Sequence, residues 1–399
     1  MTMETTMKDQ ILDIGGLVRD GRLFQPDTDG DRIEAYLPPM GRENHGSNVM
    51  ELPNGDLLCV WFGGDREGAN NVSIALSRLS PGAARWSTPA FLSDDPQRSD
   101  QNPVLFPTPD GKLWLLYASQ QSHGPAPELW DDKFSDGKLQ GIHWNQWTSV
   151  IRRRVSTDNG HTWGPVETLF DQPGSFCRNR MLVLSNGDWL FPMYYSRRDG
   201  EGVYGNDVSV MQISADQGQT WTEYAVPGSR GRVHPTVIEL SPGQLVAFFR
   251  SRSADRIYVS RSGDYGRTWT ASARTGLPNN NASIQAVKLT SGSIALAFNH
   301  LSLNDDPDIT LWPPDRYPLT IALSDDGGST WPYMRNVDMG DGFFGEANKH
   351  LNRCLAYPSI LQSGDGRIHI SYSYRGRQCI KYVSIQESWV RDSCSRFFD

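Results

Sequence analysis

Cysteine is scarce and scattered. Cys59, Cys177, Cys354, Cys379 and Cys394 are the five in 399 residues. They are odd in number and none forms a Cys-x-x-Cys pair, which argues against a disulfide scaffold or a zinc knuckle and predicts reduced thiols. Long apolar runs are also missing: nothing approaches the ~18 residues of a membrane span. The opening MTMETTMKDQ has no apolar stretch, so no leader is expected and a soluble, cytoplasmic chain is the expectation. Positive charge is not in excess. Lys and Arg number 38 against 46 Asp and Glu, a net charge of −8, which argues against nucleic acid or an anionic membrane as partner. A small anionic ligand stays open, because arginines can gather locally on an acidic molecule. No His, Cys or Asp set has metal spacing, and no Gly-rich phosphate loop occurs. Asp27-Thr28-Asp29-Gly30-Asp31 has Pro38 where a calcium loop of the EF-hand type needs Glu. No metal and no cofactor are expected.

Glycine, proline and tryptophan are plentiful, at 38, 25 and 13 residues, as in a turn-rich β protein. One pattern recurs six times: an apolar strand, a tight Gly turn, a second apolar strand. The turns fall at Asn54-Gly55, Asp110-Gly111, Asn186-Gly187, Pro242-Gly243, Ser291-Gly292 and Asp365-Gly366. Asn-Gly and Asp-Gly suit positive φ at both turn positions, matching the twist of a hairpin. Six evenly spread hairpins predict six equivalent sheets. A second pattern, Ser-x-Asp-x-Gly-x-Thr-Trp, starts at Ser156, Ser214, Ser262 and Ser324, with a degenerate remnant ending at Trp86. Its Asp can accept from backbone N–H groups of its own turn, its Gly supplies a special backbone angle, and its Trp buries a large apolar face.

This second pattern is the Asp-box, or BNR repeat, and over roughly residues 40 to 390 the chain resembles the sialidase superfamily. The resemblance implies an all-β, six-bladed β-propeller occupying residues 1–399 as one domain. Residues before about 41 would supply a strand that closes the last blade, and helix content would be minimal. Asp-boxes in that family lie on the outer rim and are structural, so they speak for fold more than function. The insertion from Gln121 to Ser149, carrying Trp130, Trp144 and Trp147, would decorate the active face.

The same resemblance implies a site at the hub: three arginines for a carboxylate, a Tyr nucleophile with a Glu partner, and an Asp acid/base. Guanidinium suits the first task because it stays charged and donates two parallel hydrogen bonds. Arg250 in LVAFFRSR, Arg316 in DRYPLTIALSDDGG and Tyr357 in LAYPSILQSGDG match in position and type. Three positions depart. The first arginine falls on His45, the acid/base on Asn71, and the glutamate on His234. Asn cannot transfer a proton, and a Tyr without its Glu is a weak nucleophile, its pKa being ~10 in water. Arg66 is placed to replace the missing arginine, His300 closes the fifth hairpin, and Arg178 and Arg180 precede the third. Asp65, Glu67 and Glu346 are the acids nearest the site in sequence. The expected catalytic residues are Tyr357, His45 and His234, and the expected substrate-binding residues are Arg250, Arg316, Arg66, Asn71 and His300. Their partner would be an acidic oligosaccharide or glycan, cleaved by an exo-acting glycosidase. A lyase acting on a uronate by β-elimination and a non-catalytic carbohydrate-binding propeller are the alternatives.

Overall fold

The computed structural model describes residues 17–124, 134–135, 138–139, 145–197, 205–313, 315–339 and 355–392. Six antiparallel sheets form the blades of a propeller. From the inside outward, blade 1 comprises Glu43–Glu51, Leu57–Gly64, Ser73–Leu79 and Ala90–Phe91. Blade 2 comprises Arg98–Pro107, Leu113–Gln121, Val150–Ser156 and Glu167–Phe170. In blade 3 the inner strand is split into Ser175–Cys177 and Leu182–Val183, followed by Trp189–Tyr195, Val208–Ser214 and Thr222–Ala225. Blade 4 holds Arg232–Ser241, Gln244–Ser251, Arg256–Ser262 and Ala273–Pro278, and blade 5 holds Gln285–Lys288, Ile294–Asn299, Leu319–Ser324 and Tyr333–Asp338. Blade 6 is Ala356–Gln362, Ile368–Tyr374 and Cys379–Ile385, with Ile33–Tyr36 pairing outside them. Among the described residues the helices are the five-residue Glu387–Arg391 and a 3-10 turn at Gln146–Thr148, and none is long and apolar enough to cross a membrane.

The core is divided between the blades. Six apolar clusters sit one at each blade–blade junction, including the 5–6 and 6–1 contacts that complete the ring. The second strands are covered on both faces, which is why LLCVWFGG at Leu57–Gly64 is buried throughout instead of alternating. Cys59, Cys177 and Cys379 are free, buried thiols in this core, and burial pushes each up to about 12. Cys354 and Cys394 lie outside the described residues.

The Asp-box turns join the third and fourth strands of blades 2 to 5. Each repeats one hydrogen-bond set: the carboxylates of Asp158, Asp216, Asp264 and Asp326 accept from the N–H groups of Thr162, Thr220, Thr268 and Thr330, all at 2.8 Å. The serine hydroxyl of each box accepts from the Gly N–H at 2.7–2.9 Å. The glycines face the preceding blade. A Cβ on Gly218 would stand 2.5 Å from Trp114 Cη2, and those on Gly266 and Gly328 would meet Leu190 and Phe248.

At the hub the inner strands share a device absent from the hairpin pattern. In blades 1, 2, 4 and 6 the register slips between His45/Asn48, Gln101/Val104, Val233/Thr236 and Ala356/Ser359. Within each slip one residue takes positive φ: Gly46 (67°), Asn102 (51°), His234 (53°) and Tyr357 (55°). Proline follows three of them, at 103, 235 and 358. Such a bulge re-aims side chains at the end of a strand. Around the axis a polar belt pins the blades together. Ser359 Oγ donates to Gln285 Oε1 (2.8 Å), Gln285 Nε2 donates to Asn179 Oδ1 (3.1 Å), and Asn179 Nδ2 donates to the His234 carbonyl (2.8 Å).

Candidate functional site

Tyr357, partly buried on its bulge, is the centre of the hub. Arg250 Nη1 donates to its hydroxyl at 2.5 Å, while Arg250 Nε donates to Asn281 Oδ1 at 2.8 Å, so the guanidinium is held by one group and aimed at another. The Arg250 and Arg316 guanidinium carbons each lie 5.3 Å from the Tyr357 ring centroid. The His45 ring lies 4.1 Å from that ring and the His234 ring 5.4 Å from it, nearly perpendicular. Ser373 Oγ shares a hydrogen bond with His45 Nδ1 at 2.7 Å, and Tyr194 OH one with His234 Nε2 at 3.3 Å. Arg250 Nη2, Arg316 Nη1 and His234 Nδ1 are buried with no hydrogen-bond partner among the described residues.

Electrostatics at the hub favour anions. Burial pushes the Tyr357 phenol up, but Arg250 and Arg316 outweigh it, with Arg252 assisting and Glu67 opposing; the net direction is down from 10.0. Burial drives His234 well below its usual 6.5, and Arg250, Arg252, Arg178 and Arg316 add to the effect, so this histidine is neutral at physiological pH. Burial brings Arg250 down to about 10, with the Tyr357 phenol working in the opposite direction.

Five of the eight residues expected at the site from the sequence are thus brought together: Tyr357, His45, His234, Arg250 and Arg316. The other three have surroundings of their own. Asn71 is exposed, and its Oδ1 accepts from the Asp65 N–H (3.2 Å), closing the loop after blade 1's second strand. Arg66, brought down to about 10 by burial, stands among the charges of Glu43, Arg377, Arg42 and Glu67. His300 is exposed, with its ring 5.6 Å from that of Phe298. Among the acids, the charge of Glu67 opposes ionisation of the Tyr357 phenol; Arg377 Nη1 holds Glu67 at 2.7 Å and Glu43 at 3.0 Å. Arg180 ties blade 3 to the Val49 carbonyl at 2.9 Å. Trp147 is 40 % exposed, whereas Trp130, Trp144 and Glu346 lie outside the described residues.

Sequence reasoning passed over Arg252, Tyr194 and Trp312. Arg252 pairs with buried Asp207 at 2.7 Å, and its guanidinium lies 4.7 Å from the Trp312 ring and 5.8 Å from Tyr194. Arg252 was visible as the second arginine of LVAFFRSR, in the turn just past the strand end at Ser251. Tyr194 and Trp312 carry no such local signal.

A model of the BNR repeat-like domain matches residues 55–370. The chain belongs to the BNR repeat-like family. Among solved structures, this BNR repeat-like chain is similar to a Hadza microbial sialidase, Hz136, with TM-score 0.66 and 18 % identity over 87 % of its own length, though it spans only 66 % of that longer chain. It is equally similar (TM-score 0.66, 17 % identity, 88 % of this chain and 97 % of the other) to a protein of unknown function from Dyadobacter fermentans. The intramolecular trans-sialidase of Ruminococcus gnavus is also similar, with TM-score 0.62 and 14 % identity over 87 % of this chain and 95 % of that one. At such identities the likeness is one of fold. A search of curated proteins finds no match.

Proposed function

We propose that this BNR repeat-like protein is a carbohydrate-active enzyme that cleaves the glycosidic bond of a carboxylated sugar, as a hydrolase. One observation carries the reading: a phenol whose proton is loosened stands between two buried guanidinium groups that retain donors without partners among the described residues. Arg250 Nη2 and Arg316 Nη1 would take the sugar carboxylate, for which a guanidinium pair is well matched. Tyr357 would then attack or stabilise the anomeric carbon, and a buried, positively charged surrounding favours its phenolate form. His45, against the phenol, or Glu67, whose charge reaches it, would pass the proton to the departing oxygen.

A second reading is β-elimination from a uronate. It is favoured by the two histidines that flank the phenol. Here the arginines would neutralise the carboxylate while Tyr357 and a histidine moved the protons.

The test is a screen of acidic oligosaccharides, read in parallel for new reducing ends and for near-ultraviolet absorbance. New reducing ends without absorbance support hydrolysis, absorbance marks an unsaturated elimination product, and calorimetric binding without either marks a binding module. Arg250→Ala is expected to weaken binding of the responsive substrate roughly 100-fold, as for a buried charge-assisted contact. Unchanged affinity in that variant would discard the hub as the site.

A further inference from the structure

We infer that Arg178 is a positioning residue for Tyr357: from blade 3, across the hub, it grips the main chain that carries the phenol and balances the negative charge the phenol takes on. The inference rests on the reading of Tyr357 as the reacting group.

Arg178 is 1 % exposed and among the largest fully buried side chains. It follows Cys177, where the inner strand of blade 3 breaks before Leu182. That place corresponds to the bulges that carry His234 on blade 4 and Tyr357 on blade 6. Its Nη2 donates to the carbonyls of Tyr357 (2.8 Å) and Pro358 (3.2 Å), 179 and 180 residues further along the chain, and its guanidinium carbon lies 5.5 Å from the Tyr357 ring centroid. Two observations say this is more than packing. First, no carboxylate pairs with Arg178 among the described residues. The groups that favour its charged form are the Tyr357 phenol, then the thiols of Cys177 and Cys59, set against a larger cost of burial. A buried cation without a carboxylate partner is expensive to keep, and the phenol is the anion-forming group it faces. Second, Tyr357 holds φ at +55°, a conformation bulky residues rarely adopt and that persists only where surroundings over-determine it. A guanidinium whose Nη2 reaches two successive carbonyls fixes that backbone; a lysine ammonium, on a flexible four-carbon stem, fixes it less well.

The charged and titratable groups around the phenol are Arg250, Arg316, Arg252, Glu67, His45, His234 and Tyr194, so the contribution of Arg178 has to be isolated. The experiment compares the full chain with Arg178→Lys and Arg178→Met. Phenolate formation is followed by ultraviolet difference titration, with Tyr357→Phe subtracted to isolate one tyrosine among 14. In Arg178→Met the Tyr357 titration is expected to move up by about one pH unit. In Arg178→Lys, which keeps the charge, it should stay near the parent value while kcat on the substrate found by the screen falls about tenfold at nearly constant KM. A folded Met variant with unaltered titration overturns the charge-balancing role, and a Lys variant with unaltered kcat overturns the grip. Should the Met variant not fold, the Lys variant decides alone: parent-like titration with lowered kcat supports the inference, and parent-like kcat sinks it. A titration shift in a protein that turns over no acidic sugar would sink the enzymatic reading while leaving the tie between Arg178 and the phenol in place.

Discussion

Burial does different things to different side chains in this propeller. At His234 it removes a charge, and at Tyr357 the arginines reverse its effect. At Asp100, on the inner strand of blade 2 and 1 % exposed, burial prevails: the carboxyl is pushed up to about 6 despite the Ser119 and Ser93 hydroxyls and Arg152. Below its unfolded value of about 3.9 the residue is neutral in both states. As pH rises from there to about 6 the native state keeps a proton that the unfolded chain has lost, so stability falls through that window and the loss is complete above it. Asp100→Asn, which cannot ionise, is therefore expected to raise stability at pH 7 by about 2–3 kcal/mol. Urea unfolding should show that gain at pH 7 and little of it at pH 4. An equal gain at both would place its origin outside ionisation. Legibility at this scale was uneven. Arg250, Arg316 and Tyr357 could be found because type and position both agreed with a known pattern. Asn71 and His300 have the right positions along their hairpins, and both are exposed, with the Asn71 amide closing its own loop on the Asp65 N–H.

The unit that joins neighbouring blades is the Asp-box turn, whose Gly approaches the second strand of the blade before it. Gly218 has φ +84°, and an added Cβ would come within 2.5 Å of Trp114. Gly218→Ala therefore combines left-handed backbone strain with a clash against an indole buried between blades 2 and 3, and is expected to cost about 2–4 kcal/mol. Gly292, in the blade 5 hairpin, has φ +91° with nothing within 4 Å, so Gly292→Ala should cost only about 1 kcal/mol, the strain alone. Thermal unfolding of both variants checks the difference; equal losses would mean that the Asp-box glycine serves its own turn and not the junction. The hub bulges belong to this scale as well. Asn102-Pro103, His234-Pro235 and Tyr357-Pro358 stand openly in the chain. Their shared meaning emerges only when the inner strands are superimposed, because Xaa-Pro alone is compatible with many extended or turn conformations.

A ring of blades has to be closed, and here Ile33–Tyr36 closes it by pairing with Cys379–Ile385. Buried Lys381 clasps the junction, donating to Asp338 of blade 5 at 2.8 Å and lying 3.0 Å from Glu34 of the closing strand. Burial would lower its pKa, but Asp338 and Glu34 overcome that and raise it. The stabilisation is thus fully present at neutral pH and is lost only as pH rises through the elevated lysine value. Lys381→Met leaves Glu34 to Arg32 and Asp338 to the Tyr372 hydroxyl, and is expected to cost about 2–3 kcal/mol at pH 7, read by urea unfolding; an unchanged midpoint would mean that the clasp does not hold the ring. The number of blades, the four Asp-boxes and the β class were determined by the amino-acid order itself, because a hairpin turn or an Asp-box is complete within about ten residues and repeats. The company that Tyr357 keeps was decided by tertiary structure. Arg178 meets it across 179 residues and Arg250 across 107, and only the twist of the strands, the direction of the bulges and closure of the ring bring such distant groups to one axis.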